Sequence, residues 1–392
     1  MPRRIHPLAL GMSYAGALLG AGFLTGREIV QFFVIYGGEG LVGIGLSTLG
    51  FGLFGWTILE KAHQHRASNY QELLDRTLHP FWAKLARGTI SFVLLGVAAI
   101  AIAGSNSLLN KILGLKGASA ALTTGIVLAT LLASGPKGLA ALNSILLPAL
   151  ILAGFSLVAA LAEEKDLLPA LFSFSREPWW LWLFSALLYL SYNALLAVGF
   201  LTALAERTEG KSDRLIAGTS GALALGSLLF LSGSALLLGR PVTLSEELPM
   251  LWLITDLWPG PGPRFIYSVF LWGGLLGTAG AALYGLGKGG SKTQAKGDQN
   301  PSPSNQGKGD PKPSSSKRRR KIDQSNELGE EAAQDGRLPR AGQFLRSLEA
   351  LFLASLLASF GFTRLIATVY PAAGVLGLFF LIPLLFSKGR PV

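Results

Sequence analysis

Small and charged residues interrupt a long apolar stretch near the start of the chain. The stretch runs from about residue 7 to 36, and residues 16–33 read GALLGAGFLTGREIVQFF. Arg27 and Glu28 are sequence neighbours, so on a helix they point about 100° apart and need separate partners. A charge near the bilayer centre costs at least roughly 2.5–3.5 kcal/mol. Arg27 can reduce this cost by snorkelling, whereas the shorter Glu28 snorkels poorly. A deep carboxylate usually marks an ion, proton or substrate path.

The glycines of this run have two explanations. Gly16 and Gly20 are four residues apart, as are Gly22 and Gly26, which is the spacing of close helix packing in membranes. Irregular backbone at membrane depth is also tolerated where it lines a cavity, and its free N–H and C=O groups then become ligands. We predict that the first span stops at residues 20–23 and restarts near Leu24. The predicted substrate-binding residues here are Gly20, Ala21, Gly22, Phe23 and Thr25.

Another long apolar stretch, at about residues 179–205, has polar residues in its middle. Ser and Asn side chains compete for backbone hydrogen bonds and can support a local break. The same side chains can instead bond neighbouring helices, and that explanation stays open for the GSNSLLN run at residues 104–110. For the later stretch we favour a break that meets the first one. The substrate-binding residues predicted from these two runs are Asn106, Tyr189, Ser191, Tyr192 and Asn193.

Composition indicates an all-α membrane protein. Half of the 392 residues are hydrophobic, 15% are charged, and the mean hydropathy is +0.45. Soluble domains have about 25% charged residues. The apolar residues form blocks long enough to cross a bilayer, which takes about 20 residues each. We predict ten transmembrane helices, at approximately 7–36, 40–61, 89–112, 118–135, 138–162, 179–205, 214–239, 263–287, 344–367 and 370–387.

The placement of basic residues predicts the orientation. With the N-terminus in the cytoplasm, inner segments hold 13 lysines and arginines against 6 in outer segments, before the polar segment is counted. That segment, 288–343, is predicted to be a disordered basic cytoplasmic linker. Its KRRRK run is interpreted as positive-inside charge, so no nucleic-acid partner is expected. The remaining spans form two five-helix repeats, 1–165 and 179–287 with 344–387, and an odd number per repeat requires inverted insertion.

The run LLGAGFLTGREIVQFF, the Gly-rich second span and the SYN of the sixth span together resemble the YkvI-like group of bacterial membrane proteins. That group is placed in the amino acid–polyamine–organocation superfamily, with the LeuT fold. The resemblance implies two inverted five-helix repeats with helices one and six broken at mid-membrane. Substrate would bind between the two breaks, with helices three and eight completing the site. The expected location is the bacterial cytoplasmic membrane, with both termini in the cytoplasm.

The resemblance also implies a gate. In relatives of this fold, an Arg just after the first break closes an outer gate, and Arg27 matches that place. An acid should pair with it, and Glu246, Glu247 and Asp256 are the candidates. No spacing argument chooses among these three.

The coupling ion is left open between H+ and Na+, and no other cofactor is expected. Sodium-coupled relatives place neighbouring hydroxyls on helix eight, where this chain has Thr278 followed by Ala279. The resemblance therefore provides half of a sodium site. Glu28 is the remaining candidate for a proton carrier.

These observations favour a secondary transporter of a small solute, an amino acid or related amine, that works by alternating access. The alternative is a LeuT-fold sensor or receptor subunit that binds the same ligand without moving it. An enzyme is disfavoured because the chain has no cysteine, its four histidines lie outside the spans, and it has no HExxH, GxSxG or Walker A run. The expected partners are the substrate and the lipid bilayer. The sequence leaves the substrate, transport direction and oligomeric state open.

Overall fold

A computed structural model describes residues 6–67, 69–134, 177–289 and 341–386, with 152, 154–157, 159–161, 163, 169 and 173 between them. Most of the predicted fifth span and nearly all of the predicted linker lie outside the described residues. Within the described part of the chain, the regular structure is helical and no β-strand occurs. The helices are α1 (Pro7–Leu18), α2 (Ala21–Thr25), α3 (Arg27–Phe32), α4 (Gly38–Gln64), α5 (Tyr70–Thr77), α6 (Pro80–Leu113), α7 (Ala118–Ala133), α8 (Trp179–Ala205), α9 (Lys211–Leu238), α10 (Val242–Ser245), α11 (Pro249–Leu257), α12 (Pro261–Gly289), α13 (Ala341–Ala358) and α14 (Phe362–Phe386).

Seven of the described helices are long and apolar enough to cross a membrane. They are α4, α6, α8, α9, α12, α13 and α14, and they match the predicted spans two, three and six to ten. The first predicted span comprises three shorter helices, α1 to α3, and the fourth is the 16-residue α7. The chain is therefore an all-α membrane protein.

Glycines permit the closest helix contacts. Helix α9 packs against α1 and α4, and a Cβ added at Gly218 would lie 2.5 Å from the backbone nitrogen of Trp56 on α4. Helix α8 packs against α4 and α14, and a Cβ at Gly374 would lie 2.8 Å from the carbonyl oxygen of Leu188. Helix α6 packs against α12, α13 and α14. Small residues at crossings let backbones approach, which is how membrane helices associate without a hydrophobic driving force.

The predicted break in the sixth span is wrong. Helix α8 runs without interruption from Trp179 to Ala205. Two of its polar side chains bond to carbonyl oxygens and leave the helix intact. Asn193 Nδ2 donates to Tyr189 O at 3.1 Å, one turn earlier, and Ser191 Oγ donates to Gly374 O on α14 at 2.8 Å. Ser191 therefore bonds to a neighbouring helix, which was the alternative explanation to a break.

Candidate functional site

The first span is interrupted twice. Helix α1 ends at Leu18, and Gly20 is extended, with φ −88° and ψ 176°, before α2 begins. At Gly26 the backbone is left-handed, with φ +80°, a conformation that is costly for residues with a Cβ. The prediction of a restart near Leu24 is wrong, because α2 begins at Ala21 and a second break follows at Gly26. The interruption itself is confirmed.

A cavity of about 370 Å³ lies beside the first break. Its walls come from the α1–α2 junction, α3, α6, α8, α12 and α14. Gly274 on α12 lets α2 approach, because a Cβ there would collide with the side chain of Leu24. The cavity is larger than a single ion needs and falls at the low end of the range for small-molecule sites, about 300–1,000 Å³.

Glu28 is the acidic group of this cavity. It is 2% exposed, and its carboxylate accepts a hydrogen bond from the hydroxyl of Tyr192 on α8. The carboxylate also faces the side chain of Asn193 and the backbone of Phe23. A Cβ added at Gly22 would collide with it, so only glycine leaves room for the carboxylate at this point. A buried carboxylate is tolerated because it is hydrogen-bonded.

Aromatic rings hold α3, α8 and α14 together around Glu28. Tyr192 stacks on Tyr370, with ring centroids 4.6 Å apart and planes 9° apart. Phe32 packs edge-on against Tyr189 at 5.5 Å and stacks with Tyr192 at 5.7 Å. Phe33 adds a further edge contact with Tyr189 at 4.8 Å. Aromatic pairs of this kind contribute beyond their buried area, so they fix the position of the carboxylate.

The structure gathers some of the predicted site residues and leaves others apart. Gly20, Glu28, Tyr192, Asn193 and Thr278 line the cavity together. The others are absent from its lining and have structural contacts elsewhere. Ala21 and Gly22 lie in α2, Phe23 lies beside a separate apolar cavity of about 30 Å³, and the hydroxyl of Thr25 donates to Gly22 O. Asn106 accepts a hydrogen bond from Thr124. Tyr189 belongs to the aromatic cluster, and Ser191 bonds to α14.

Arg27 contacts the C-terminal end of α10 and the residue that follows it. Its Nη1 donates to the carbonyl oxygens of Leu244, at 2.7 Å, and Glu246, at 3.1 Å. The carboxylate of Glu246 instead pairs with Lys111 Nζ at 2.6 Å, and that of Glu247 accepts from Ser107 Oγ at 2.7 Å. Of the predicted partners, Glu246 therefore bonds Arg27 through its backbone carbonyl oxygen, and Glu247 interacts with Arg27 electrostatically. We call these contacts the polar seam; it is defined by Arg27, Ser107, Lys111, Glu246 and Glu247.

The polar seam lies at the Glu28 end of the cavity. Nearby, the hydroxyl of Tyr267 on α12 donates to Leu24 O at 2.9 Å, and Arg264 donates to Lys111 O at 2.9 Å. Ala281 lies 17 residues after Arg264 on α12, which is roughly 25 Å along the helix axis. Ala281 and Ala17 line the cavity and are exposed. The polar seam therefore lies at one end of the cavity, and the exposed lining residues Ala17 and Ala281 lie away from it.

Sequence reasoning missed several of these residues. Tyr370 lines the cavity and holds Tyr192, yet its only sequence signal is a tyrosine beside Pro371 in an apolar span. Lys111 and Ser107 had no signal for the polar seam, because their partners are more than a hundred residues away. Among the residues that the structure describes, no group of three or more His, Cys, Asp or Glu side chains could hold a metal ion.

Comparison with known proteins gives two relatives by sequence. No protein-family model matches the chain. The uncharacterized membrane protein YkvI of Bacillus subtilis (strain 168) is 31% identical over 290 residues, which are 71% of this chain and 79% of YkvI. The uncharacterized protein YyaD of the same strain is 26% identical over 232 residues, which are 56% of this chain and 63% of YyaD.

Solved transporter structures share the fold. A Na+-coupled sialic acid symporter, in a substrate-bound outward-open state, matches with a TM-score of 0.59 and 12% identity over 98% of this chain and 78% of its own. A manganese transporter of Eremococcus coleocola matches with a TM-score of 0.57 and 12% identity over 96% and 78% of the two chains. Mhp1, a nucleobase-cation-symport-1 family transporter, matches with a TM-score of 0.54 and 12% identity over 96% and 78%.

These likenesses establish the architecture and the family. At 12% identity the solved structures show the fold only, which is the LeuT fold. YkvI is described as a membrane protein, and the solved structures are those of a symporter and transporters, not of enzymes. The identity with YkvI extends over most of both sequences. The chain therefore belongs to the YkvI family of membrane proteins.

Proposed function

We propose that this protein is a secondary transporter that moves a small solute, an amino acid or related amine, by alternating access. The observation that carries the proposal is the 370 Å³ cavity at the break in the first span, with the polar seam at one end and exposed lining residues at the other. We interpret the polar seam as the closed gate and the Ala281 end as the accessible one. A site that is reached from one side and blocked on the other is what alternating access requires. The shared fold of the symporter and the two transporters supports it.

The same proposal covers the topology. The chain is assigned to the amino acid–polyamine–organocation superfamily, with 1–165 and 179–287 plus 344–387 as inverted repeats. The excess of basic residues in alternate loops supports cytoplasmic termini in a bacterial plasma membrane. The polar seam then lies on the outer side, and the cavity is accessible from the cytoplasm.

Two ions, H+ and Na+, are candidates for driving transport. Glu28 is the proton-carrying candidate, because it is the ionisable group of the cavity. Thr278 is the sodium-binding candidate, because it lies in the same cavity as Gly20 at the break. Imposing a proton gradient and a sodium gradient separately distinguishes the two.

The test is uptake into proteoliposomes that contain the purified full chain. Radiolabelled amino acids and amines are offered under an imposed H+ or Na+ gradient, and accumulation above the equilibrium level is expected for one class. Glu28→Gln and Asn193→Ala should abolish accumulation, because both residues line the cavity. Glu349→Gln is the matched control, because Glu349 is exposed and absent from the cavity lining. Binding without accumulation would refute transport and favour the sensor alternative, and normal uptake by both cavity variants would refute the site.

A further inference from the structure

The charge of the cavity is one-sided. Among the described residues that line it, Glu28 is the single Asp, Glu, Lys or Arg side chain. An ammonium group on a ligand would find a partner there. A ligand carboxylate would find no basic side chain, and a buried ion without a partner is strongly disfavoured.

The hydrogen-bonding groups of the cavity are also one-sided. A hydroxyl has one hydrogen to donate. Tyr192 donates its hydrogen to Glu28, and Thr278 donates its hydrogen to Gly274 O at 2.9 Å. Asn193 donates to Tyr189 O at 3.1 Å. Asn193 has a second amide hydrogen, and its side chain faces Glu28, while the hydroxyl of Tyr370 faces the backbone of Gly22. The side-chain hydrogens around Glu28 are therefore largely used within the protein, and these side chains offer mainly lone pairs to a ligand.

The main chain at the break offers no free place for a ligand carboxylate either. The N–H groups of the first turn of α2 are main-chain donors in this region. Glu28 already occupies this position, because its carboxylate faces the backbone of Phe23 and fills the space beside Gly22. A carboxylate from outside would have to displace an internal one of the same charge.

The rest of the wall suits an organic cation. The rings of Phe200 and Tyr370 line the cavity, and aromatic faces attract ammonium groups. Tyr192 is stacked against Tyr370 and Phe32, so it contributes its hydroxyl to this wall. The other lining positions include Leu94, Val97 and further leucines, alanines and glycines, which suit an apolar body. We infer that the cavity binds a small organic amine that has no carboxylate, in preference to the corresponding zwitterionic amino acid. This inference deepens the proposed function and rests on it for the solute site.

The test compares pairs of compounds that differ by one carboxylate. The purified full chain in detergent is titrated with tyramine and tyrosine, phenethylamine and phenylalanine, and isoamylamine and leucine, and the thermal unfolding midpoint is followed. For at least one pair, the amine should reach half-maximal stabilisation at a concentration at least tenfold below that of its amino acid. Equal or tighter binding by the amino acids, or no stabilisation by any amine, would overturn the inference.

Variants connect the preference to Glu28. Glu28→Gln should weaken binding of the stabilising amine at least tenfold, because the negative charge that pairs with the ammonium group is lost. The difference in half-maximal concentration between that amine and its amino acid should shrink accordingly. Glu349→Gln should leave both unchanged, because Glu349 is exposed and lies outside the cavity lining. An unchanged amine preference in a folded Glu28→Gln protein would overturn the role of Glu28. The wild-type pairs remain decisive if that variant does not fold.

The outcomes separate this inference from the proposed function. Amine binding without gradient-driven uptake would refute transport and support the amine site. Uptake of amino acids in preference to their amines would support transport and refute the amine site.

Discussion

Replacing Arg27 with Gln should release the polar seam and make the closed end of the cavity accessible. Arg27 donates two hydrogen bonds from Nη1 to the carbonyl oxygens of Leu244 and Glu246, at 2.7 and 3.1 Å. These bonds tie α3 to the C-terminal end of α10, so opening at this end has to break them. Glutamine is shorter and uncharged and cannot reproduce both bonds.

The size of the effect follows from those two bonds. A hydrogen bond to a charged group contributes about 1.5–3 kcal/mol. Two bonds at the lower end of that range give about 3 kcal/mol, which is roughly a hundredfold change in the ratio of closed to open molecules. Lys111→Gln removes an exposed ion pair, with side chains 39% and 27% exposed, and should shift the ratio by less than about fivefold.

Cysteine accessibility measures this ratio. The chain has no cysteine, so a single introduced one reports on its own position. Thr25→Cys lies two residues before Arg27 and is fully buried in the closed seam. Its reaction with a thiol reagent should accelerate strongly in the Arg27→Gln background and little in the Lys111→Gln background. Ala281→Cys, at the accessible end, should react more slowly when the seam opens, because alternating access couples the two ends.

Two results would refute this reasoning. If Arg27→Gln leaves the labelling of Thr25→Cys unchanged, the backbone contacts of Arg27 do not hold the seam. If both positions become more reactive together, the variant has loosened the protein generally and the two ends are not coupled. Arg27→Lys keeps the charge and should give an intermediate rate.

Two further predictions concern stability, measured in detergent as the thermal unfolding midpoint and as the dependence of unfolding on denaturant concentration. Gly26→Ala should destabilise by about 1–2 kcal/mol or more, because φ is +80° and a Cβ would lie 2.8 Å from Met250 Cγ. Gly20→Ala should leave the stability nearly unchanged, since Gly20 is extended and a Cβ there meets no atom within 4 Å. Equal losses of stability in the Gly26→Ala and Gly20→Ala variants would contradict these backbone roles. Arg214→Met should cost about 3 kcal/mol, because Arg214, whose side chain is 5% exposed, bonds Glu60 at 2.8 Å. Adding Glu60→Gln should recover part of that loss, and no recovery would argue against an uncompensated charge as its cause.

The apolar blocks were sufficient to predict most of the membrane helices, because crossing a bilayer takes about 20 apolar residues whatever they pack against. Glu28 could also be recognised, since a carboxylate deep in an apolar span is costly and needs a reason to be there. The interruption beside Gly20 was predicted from glycine and its neighbours. The left-handed turn at Gly26 was not, because Gly26 equally fits the spacing of a packing motif.

The contacts across the fold decided the rest. The polar residues of α8 suggested a break, yet Ser191 bonds to α14 and Asn193 bonds within its own helix, so α8 stays continuous. Tyr370 reaches Glu28 and Tyr192 only because Gly374 lets α14 approach α8. Whether a polar side chain bonds its own helix, a neighbour or a ligand depends on what lies opposite, and what lies opposite comes from a distant part of the chain.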